Sequence, residues 1–167
     1  MNSRILGSFL SIFSCLAVCG CTLKTIDTLE IGDMTTVNSK VLIATQASQF
    51  KDEVIAEIKK ALGQKIFYIK VLDVKWLPSQ SVDDYNAIVV LNRCMAGRPD
   101  PRVENFIDNI QDKNKLVVLT TGRLDSWKPE SPGVDAITSA STMSEAGAVA
   151  RTIADKVMAI IHSQKNI

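Results

Sequence analysis

Residues 87–91 read Ala87-Ile88-Val89-Val90-Leu91, an apolar run with no polar alternation. A strand covered on one face alternates apolar and polar residues, whereas a strand buried on both faces of a parallel sheet is apolar throughout. Upstream, Val41-Leu42-Ile43-Ala44 is a second such run, followed by Phe50, Val54, Ile58 and Leu62 at four-residue spacing until Gly63. That pattern predicts a strand and then an amphipathic helix. Between the two runs, Ile66 to Val74 is rich in branched and aromatic residues and predicts another strand.

Downstream the alternation continues. Asp100-Pro101 offers a helix cap and a proline at the first helical position, and Val103, Phe106, Ile107 and Ile110 form one stripe. Leu116 to Leu119 predicts a fourth strand, Gly122 to Gly133 a loop holding Pro129 and Pro132, and Val134 to Thr138 a fifth strand. Thr142-Met143-Ser144-Glu145 reads as a capping box opening a last helix, with Ala146, Val149, Ala150, Ile153, Val157, Ile160 and Ile161 as its apolar face. Strands alternating with helices imply an α/β fold built on a doubly wound, five-stranded parallel sheet. Ligands of such sheets bind outside the carboxyl ends of the strands. Three loops therefore matter: Thr45 to Gln49, Asn92 to Asp100, and Thr120 to Gly133.

The N-terminus has a different character. Arg4 and the free amine precede an apolar stretch from Ile5 to Val18, the layout of an export signal and too short for a membrane span, which needs about 20 apolar residues. Leu16-Ala17-Val18-Cys19-Gly20-Cys21 resembles a bacterial lipobox. Of the two registers, Cys21 as lipid acceptor puts small Gly20 before the cut and Val18 at the aliphatic position, while Cys19 would put bulky Val18 there. The expected organisation is a lipoprotein signal peptide over residues 1–20, a threonine-rich tether over 21–39 with room for a short strand, a folded domain over 40–163 and a tail over 164–167. Such a chain would sit in the cell envelope, held by lipid on Cys21. Thr22, in place of aspartate, favours the outer membrane over the inner if sorting follows that of enteric bacteria.

Composition narrows the function classes. The 167 residues carry 19 Lys plus Arg against 18 Asp plus Glu, and loss of Arg4 with the signal leaves an even balance, so nothing points to nucleic acid. Cys15 and Cys19 leave with the signal and Cys21 takes lipid, so Cys94 is the one free thiol of the mature chain and no internal disulfide forms. Arg93 beside Cys94 would favour a thiolate, although an inert buried cysteine is the commoner case. His162, the sole histidine, lies near the end of the last helix, which leaves no basis for a Ser-His-Asp triad or a histidine metal site, so neither a hydrolase nor a metalloenzyme is expected. Asp83 and Asp84 read as solvated. A phosphoacceptor receiver domain would want acidic residues where Thr45-Gln46 and Asn92 stand and a lysine at Ser139, and no glycine-rich nucleotide loop follows the first strand.

A family resemblance rests on several of these segments in order. Lys40 to Leu62, Asp83-Asp84-Tyr85-Asn86-Ala87-Ile88-Val89-Val90, Gly97-Arg98-Pro99 leading to Val103-Glu104-Asn105-Phe106-Ile107, and Lys115 to Gly122 resemble successive parts of flavodoxin-like proteins. Asp125-Ser126-Trp127 after Gly122 looks like the flavin-covering loop. The resemblance implies an FMN site: phosphate at the first helix's N-terminus near Thr45, Gln46 and Ser48, and the ring between Asn92-Arg93 and Thr121-Gly122, with Trp127 against it. Any redox activity would then belong to bound FMN. The sequence departs from that pattern in two places. Thr45-Gln46-Ala47-Ser48-Gln49-Phe50 lacks the glycine and one hydroxyl of the usual phosphate loop, and Asn92-Arg93-Cys94-Met95-Ala96 has no aromatic residue to face the ring. Ser48 also suits a plain helix cap, and Trp127 a loop closing over the core. Two functions follow: a binding or accessory module with a degenerate flavin site, working with an envelope protein, and a tethered FMN carrier serving a redox partner.

Replacing Cys21 by serine is expected to leave an unprocessed precursor that is released from membranes by washing; membrane fractionation checks this, and unchanged processing and retention would refute the lipobox.

Overall fold

The computed structural model describes residues 26–63, 67–122 and 133–166, so the export segment, Cys21 and the loop bearing Trp127 lie outside the described residues. In chain order the elements are β1 (Leu29–Ile31), β2 (Lys40–Thr45), α1 (Gln49–Gly63), β3 (Tyr68–Asp73), β4 (Ala87–Arg93), α2 (Pro101–Asn109), β5 (Leu116–Thr121), β6 (Asp135–Ser139) and α3 (Ala146–Lys165). The strands form one sheet in the order β1-β3-β2-β4-β5-β6. Strands β2 to β6 pair in parallel, in the order found in flavodoxin-like doubly wound sheets, where the chain reverses direction across the sheet between β2 and β4.

The five-stranded, all-parallel expectation needs correction: the sheet has six strands and is mixed. The extra strand, β1, runs antiparallel along the outer edge of β3, with Leu29 opposite Val71 and Ile31 opposite Ile69. Three residues are too few to show a period, which is why a threonine-rich stretch hides this strand. Its contribution is physical, because the open side of β3 would otherwise present unpaired backbone groups. Lys70 and Glu30, opposite one another, add an exposed ion pair at 3.4 Å.

Packing follows the alternation of side chains along each strand. On one face Val41, Ile43, Val89, Leu91, Val117 and Leu119 meet the apolar stripes of α1 and α3, among them Val54, Ile58, Ile153 and Val157. On the other, Leu42, Ala44, Ile88, Val90 and Val118 meet Val103, Phe106 and Ile107 of α2 and the short 3₁₀ turn Val74–Ser79. Each fully buried aliphatic side chain contributes about 1.5–3 kcal/mol relative to exposure, so β4, apolar on both faces, anchors both layers. At the foot of the sheet Asn86 accepts from the Lys40 backbone N–H (2.9 Å) and pairs its side-chain amide with Gln164 (3.0 Å), which in turn donates to the Asn86 carbonyl (2.8 Å).

The helix starts follow the sequence in two cases and depart from it in the third. Asp100 caps α2, accepting from Arg102 N–H with Pro101 next to it, and Ser48 caps α1, its Oγ accepting from Lys51 N–H at 3.2 Å. Thr142 forms no capping box. Its carbonyl takes the Glu145 N–H in a 3₁₀ turn, Met143–Glu145, and the Glu145 carboxylate lies 3.5 Å from Ser139 Oγ, so α3 starts only at Ala146.

Gly32 ends β1 with a positive φ of 83°, and a Cβ there would stand 2.6 Å from the Phe67 carbonyl oxygen. Gly32→Ala is expected to lower unfolding stability by about 1–3 kcal/mol through backbone strain, more if Phe67 must shift. Urea unfolding reads it, and wild-type stability in the variant would mean that this turn does not pack as described.

Candidate functional site

The carboxyl ends of β2, β4 and β5 bring most of the predicted residues together. Thr45, Gln46, Ser48, Asn92, Arg93, Thr121 and Gly122 all lie at this mouth, and Trp127 lies outside the described residues. Alternation places Asn92 with Val90 and Val118 on the α2 face, and Thr45, Arg93 and Thr121 on the face covered by α1 and α3.

Internal hydrogen bonds occupy much of this polar equipment. Gln46 spans the point where the chain reverses: its Nε2 donates to Asp100 Oδ2 at 2.8 Å, and its Oε1 accepts from the Arg93 backbone N–H at 2.8 Å. One amide thus ties the loop after β2 to both ends of the loop after β4. Asn92 Oδ1 accepts from Asp100 N–H (3.3 Å), Thr121 Oγ1 donates to the Asn92 carbonyl (3.2 Å), and Thr45 Oγ1 donates to the Gln46 carbonyl (3.3 Å). Gly122 N–H reaches the Ser139 carbonyl at 3.4 Å. Asp100 also receives Arg102 through Nε (2.9 Å) and Nη2 (2.6 Å), and these bonds first, with Gln46 adding to them, hold its carboxyl below the usual carboxylate range. Beyond β4 the chain makes a tight turn in which Met95 and Arg98 exchange backbone hydrogen bonds (2.8 and 3.0 Å), with Ala96 and Gly97 at φ of 51° and 78°. Cys94 sits half-buried before that turn, its N–H given to the Thr121 carbonyl.

Among the described residues three buried polar atoms here have no hydrogen-bond partner: Lys51 Nζ, Asn92 Nδ2 and Thr120 Oγ1. Asn92 and Thr120 are register partners on β4 and β5, so the two side chains project from neighbouring positions on the same face. Lys51, in the first turn of α1, is only 1 % exposed. Its ammonium has lost water without gaining an acid among the described residues. Desolvation first, and the nearby Arg93 charge second, push its pKa down to about 7. Sequence reasoning passed over Lys51, although a signal was there. Lys51 precedes Ile55, Ile58 and Leu62 at helical spacing, which puts a lysine on the buried stripe.

At the opposite end of the sheet a cavity of about 470 Å³ is lined by Thr36, Asn38, Ser39, Phe67, His162 and Lys165, among others. It shares no residue with the mouth.

No protein-family model matches this chain, and no curated protein does. Among solved structures, a flavodoxin from the domain Archaea is similar over 72% of this chain and 98% of its own, at 12% identity and a TM-score of 0.49. Oxidised flavodoxin 2 from Bacillus cereus is similar over 71% of this chain and 99% of its own, at 17% identity and a TM-score of 0.42. The lysine decarboxylase of Francisella novicida is similar over 74% of this chain and 17% of its own, at 15% identity and a TM-score of 0.48.

The Lys51 shift makes stability depend on pH with a definite sign. Between about pH 7 and the ordinary lysine value of 10.5 the folded chain holds Lys51 neutral while the unfolded chain protonates it, so stability rises through this window and is lowest below it. A full shift of this size corresponds to roughly 4–5 kcal/mol. Tyr68 and Tyr85, held neutral chiefly by burial, reverse the trend once unfolded tyrosines ionise, so the rise is read between about pH 7 and 9.5. Lys51→Met is expected to stabilise the domain at pH 6 by about 2–4 kcal/mol and to flatten that rise. Chemical unfolding across pH tests this; an unchanged slope in the variant would show that Lys51 is ordinarily charged.

Proposed function

We propose that this protein is a lipid-tethered envelope module whose α/β domain binds a small anionic ligand at the mouth of the sheet and works without flavin. The observation that carries this reading is the pair Lys51 and Arg93: two cations close enough to repel, one buried, with no acid beside Lys51 among the described residues. A carboxylate or phosphate between them would relieve both the repulsion and the desolvation. The α1 N-terminus, whose dipole favours negative charge, lies within the same turn as Lys51.

FMN suits the same residues less well. The loop after β2, residues 46–48, has no glycine, and Ser48 is committed to capping α1. Seating a flavin at the reversal point would require Gln46 to release Arg93 and Asp100, two hydrogen bonds of which one is charge-assisted. The alternative, a tethered FMN electron carrier, is favoured by the strand order alone, since doubly wound sheets of this order bind ligands at the reversal point. Recognition, and no reaction, is the role of this domain. An envelope protein presenting or receiving the ligand is its expected partner.

Titration of the mature chain separates the two. Flavin fluorescence is expected to stay unquenched at micromolar FMN, while millimolar phosphate or citrate raises the melting temperature of the wild type and not of Lys51→Met. Stoichiometric quenching would install the electron carrier instead. Equal anion effects on both proteins would remove the ligand from Lys51.

A further inference from the structure

We infer that the carboxyl-end face of the sheet docks on the bilayer that holds the tether, an inference resting on the lipid anchor at Cys21 proposed above. The strongly exposed large apolar side chains among the described residues are Leu29, Trp76, Met95 and Met143. None lies at the amino end of the parallel strands. Trp76 is in the turn directly after β3, Met95 in the turn after β4, and Met143 four residues after β6, while Leu29 opens β1 at the end nearer the carboxyl terminus of β3. From β3 to β6 the face crosses four strand spacings, about 19 Å at ~4.8 Å each.

The anchor arrives at this same end. Strand β1 is antiparallel to β3, so the chain enters the sheet from the carboxyl side of β3. Eight steps of chain separate Cys21 from Leu29, a reach of at most about 29 Å, which is enough to set a lipid on that cysteine at this face. Cations complete the match. Lys75 lies over the Trp76 ring at 5.3 Å, and exposed Arg93 and Arg98 form no ion pair among the described residues. Two of the acids at this end are engaged, Asp73 accepting from Lys75 N–H and Asp100 held by Arg102 and Gln46, while Glu53, Glu104 and Glu145 are exposed beside the cations. An indole with flanking methionines and unpaired cations is the chemistry of an interfacial contact with anionic headgroups.

The test uses the acylated mature chain in vesicles, with Trp127→Phe leaving Trp76 as the single tryptophan. Mass spectrometry first establishes whether Cys21 is acylated. Trp76 emission is expected to shift to shorter wavelength and to be quenched by lipids brominated in the upper acyl chain. Arg98→Glu is expected to weaken docking about five-fold in vesicles containing phosphatidylglycerol, and to leave it unchanged in phosphatidylcholine. Hydrogen exchange of the unsubstituted chain gives a second reading, with slowed exchange over residues 74–79 and 94–98 on vesicles relative to Cys21→Ser. An unacylated chain overturns the anchor and the docking together. An acylated chain whose Trp76 stays unquenched and whose turns exchange freely overturns the docking alone and leaves the face to a protein partner.

Discussion

Burial of the central strands on both faces is the constraint from which the rest of the structure follows. Every residue of β2 beyond Lys40, all of β5 and all of β4 except Arg93 are buried. Such strands gain stability only if a layer covers each side, which a chain of parallel strands achieves by returning over alternate faces. Helices α1 and α3 cover one face, and α2 with the 3₁₀ turn after β3 covers the other. That turn contains Pro78 and spans only Val74–Ser79, yet Val74 and Leu77 are fully buried, so a short segment does the covering work of a helix. Parallel strands in turn bring all their carboxyl ends to one edge, and the site is located there for that reason alone.

At that edge the apolar solution runs out. Strand ends and loop starts expose backbone groups that must be satisfied, and a buried donor or acceptor left unmade costs about 1–3 kcal/mol. Gln46, Asn92, Asp100 and Thr121 supply partners to one another and to the backbone, so the two loops flanking the reversal point are braced as one unit. Lys51, Asn92 Nδ2 and Thr120 Oγ1 stand outside this network. Their locations differ, Lys51 being on α1 and the other two on the α2 side of β4 and β5. Among the described residues the brace therefore leaves unmet polarity on both sides of the sheet end, and the ionisable member, Lys51, carries the largest desolvation cost.

The parallel layers were readable because their signals are long and redundant. Val41 to Ala44, Ala87 to Leu91 and Leu116 to Leu119 each lie within a strand, and the stripes of α1, α2 and α3 point inward as their spacing requires. What sequence pattern failed to show is local or non-periodic. Strand β1 is defined by pairing rather than period, and the Thr142 box gave way to a 3₁₀ turn because Glu145 lies close to Ser139. The site was legible in location, since carboxyl-end loops follow from the topology. Its occupancy was not. Whether Gln46 faces a ligand or bridges Arg93 and Asp100 depends on rotamers and loop lengths that no spacing encodes. Lys51 was legible in principle, as a lysine on a buried stripe, but long side chains on such stripes commonly reach solvent.

The direction of β1 links these observations. Had the first strand paired with β3 in parallel, the chain would enter at the amino end, beside the cavity lined by Phe67 and His162. The antiparallel register instead brings the entry to the end where Trp76, Met95 and the braced loops lie, and at the opposite, amino end Gly32, against the Phe67 carbonyl, turns the chain back toward β2. Neither ion pairing nor hydrophobic burial in the core imposes this choice, because β1 adds only Ile31 to the packed layer, and as a partly buried contact. It is a matter of edge pairing, which the outer side of β3 accepts in either direction. A three-residue strand thereby sets the end of the sheet at which the chain enters, the same end that carries Lys51 and Arg93.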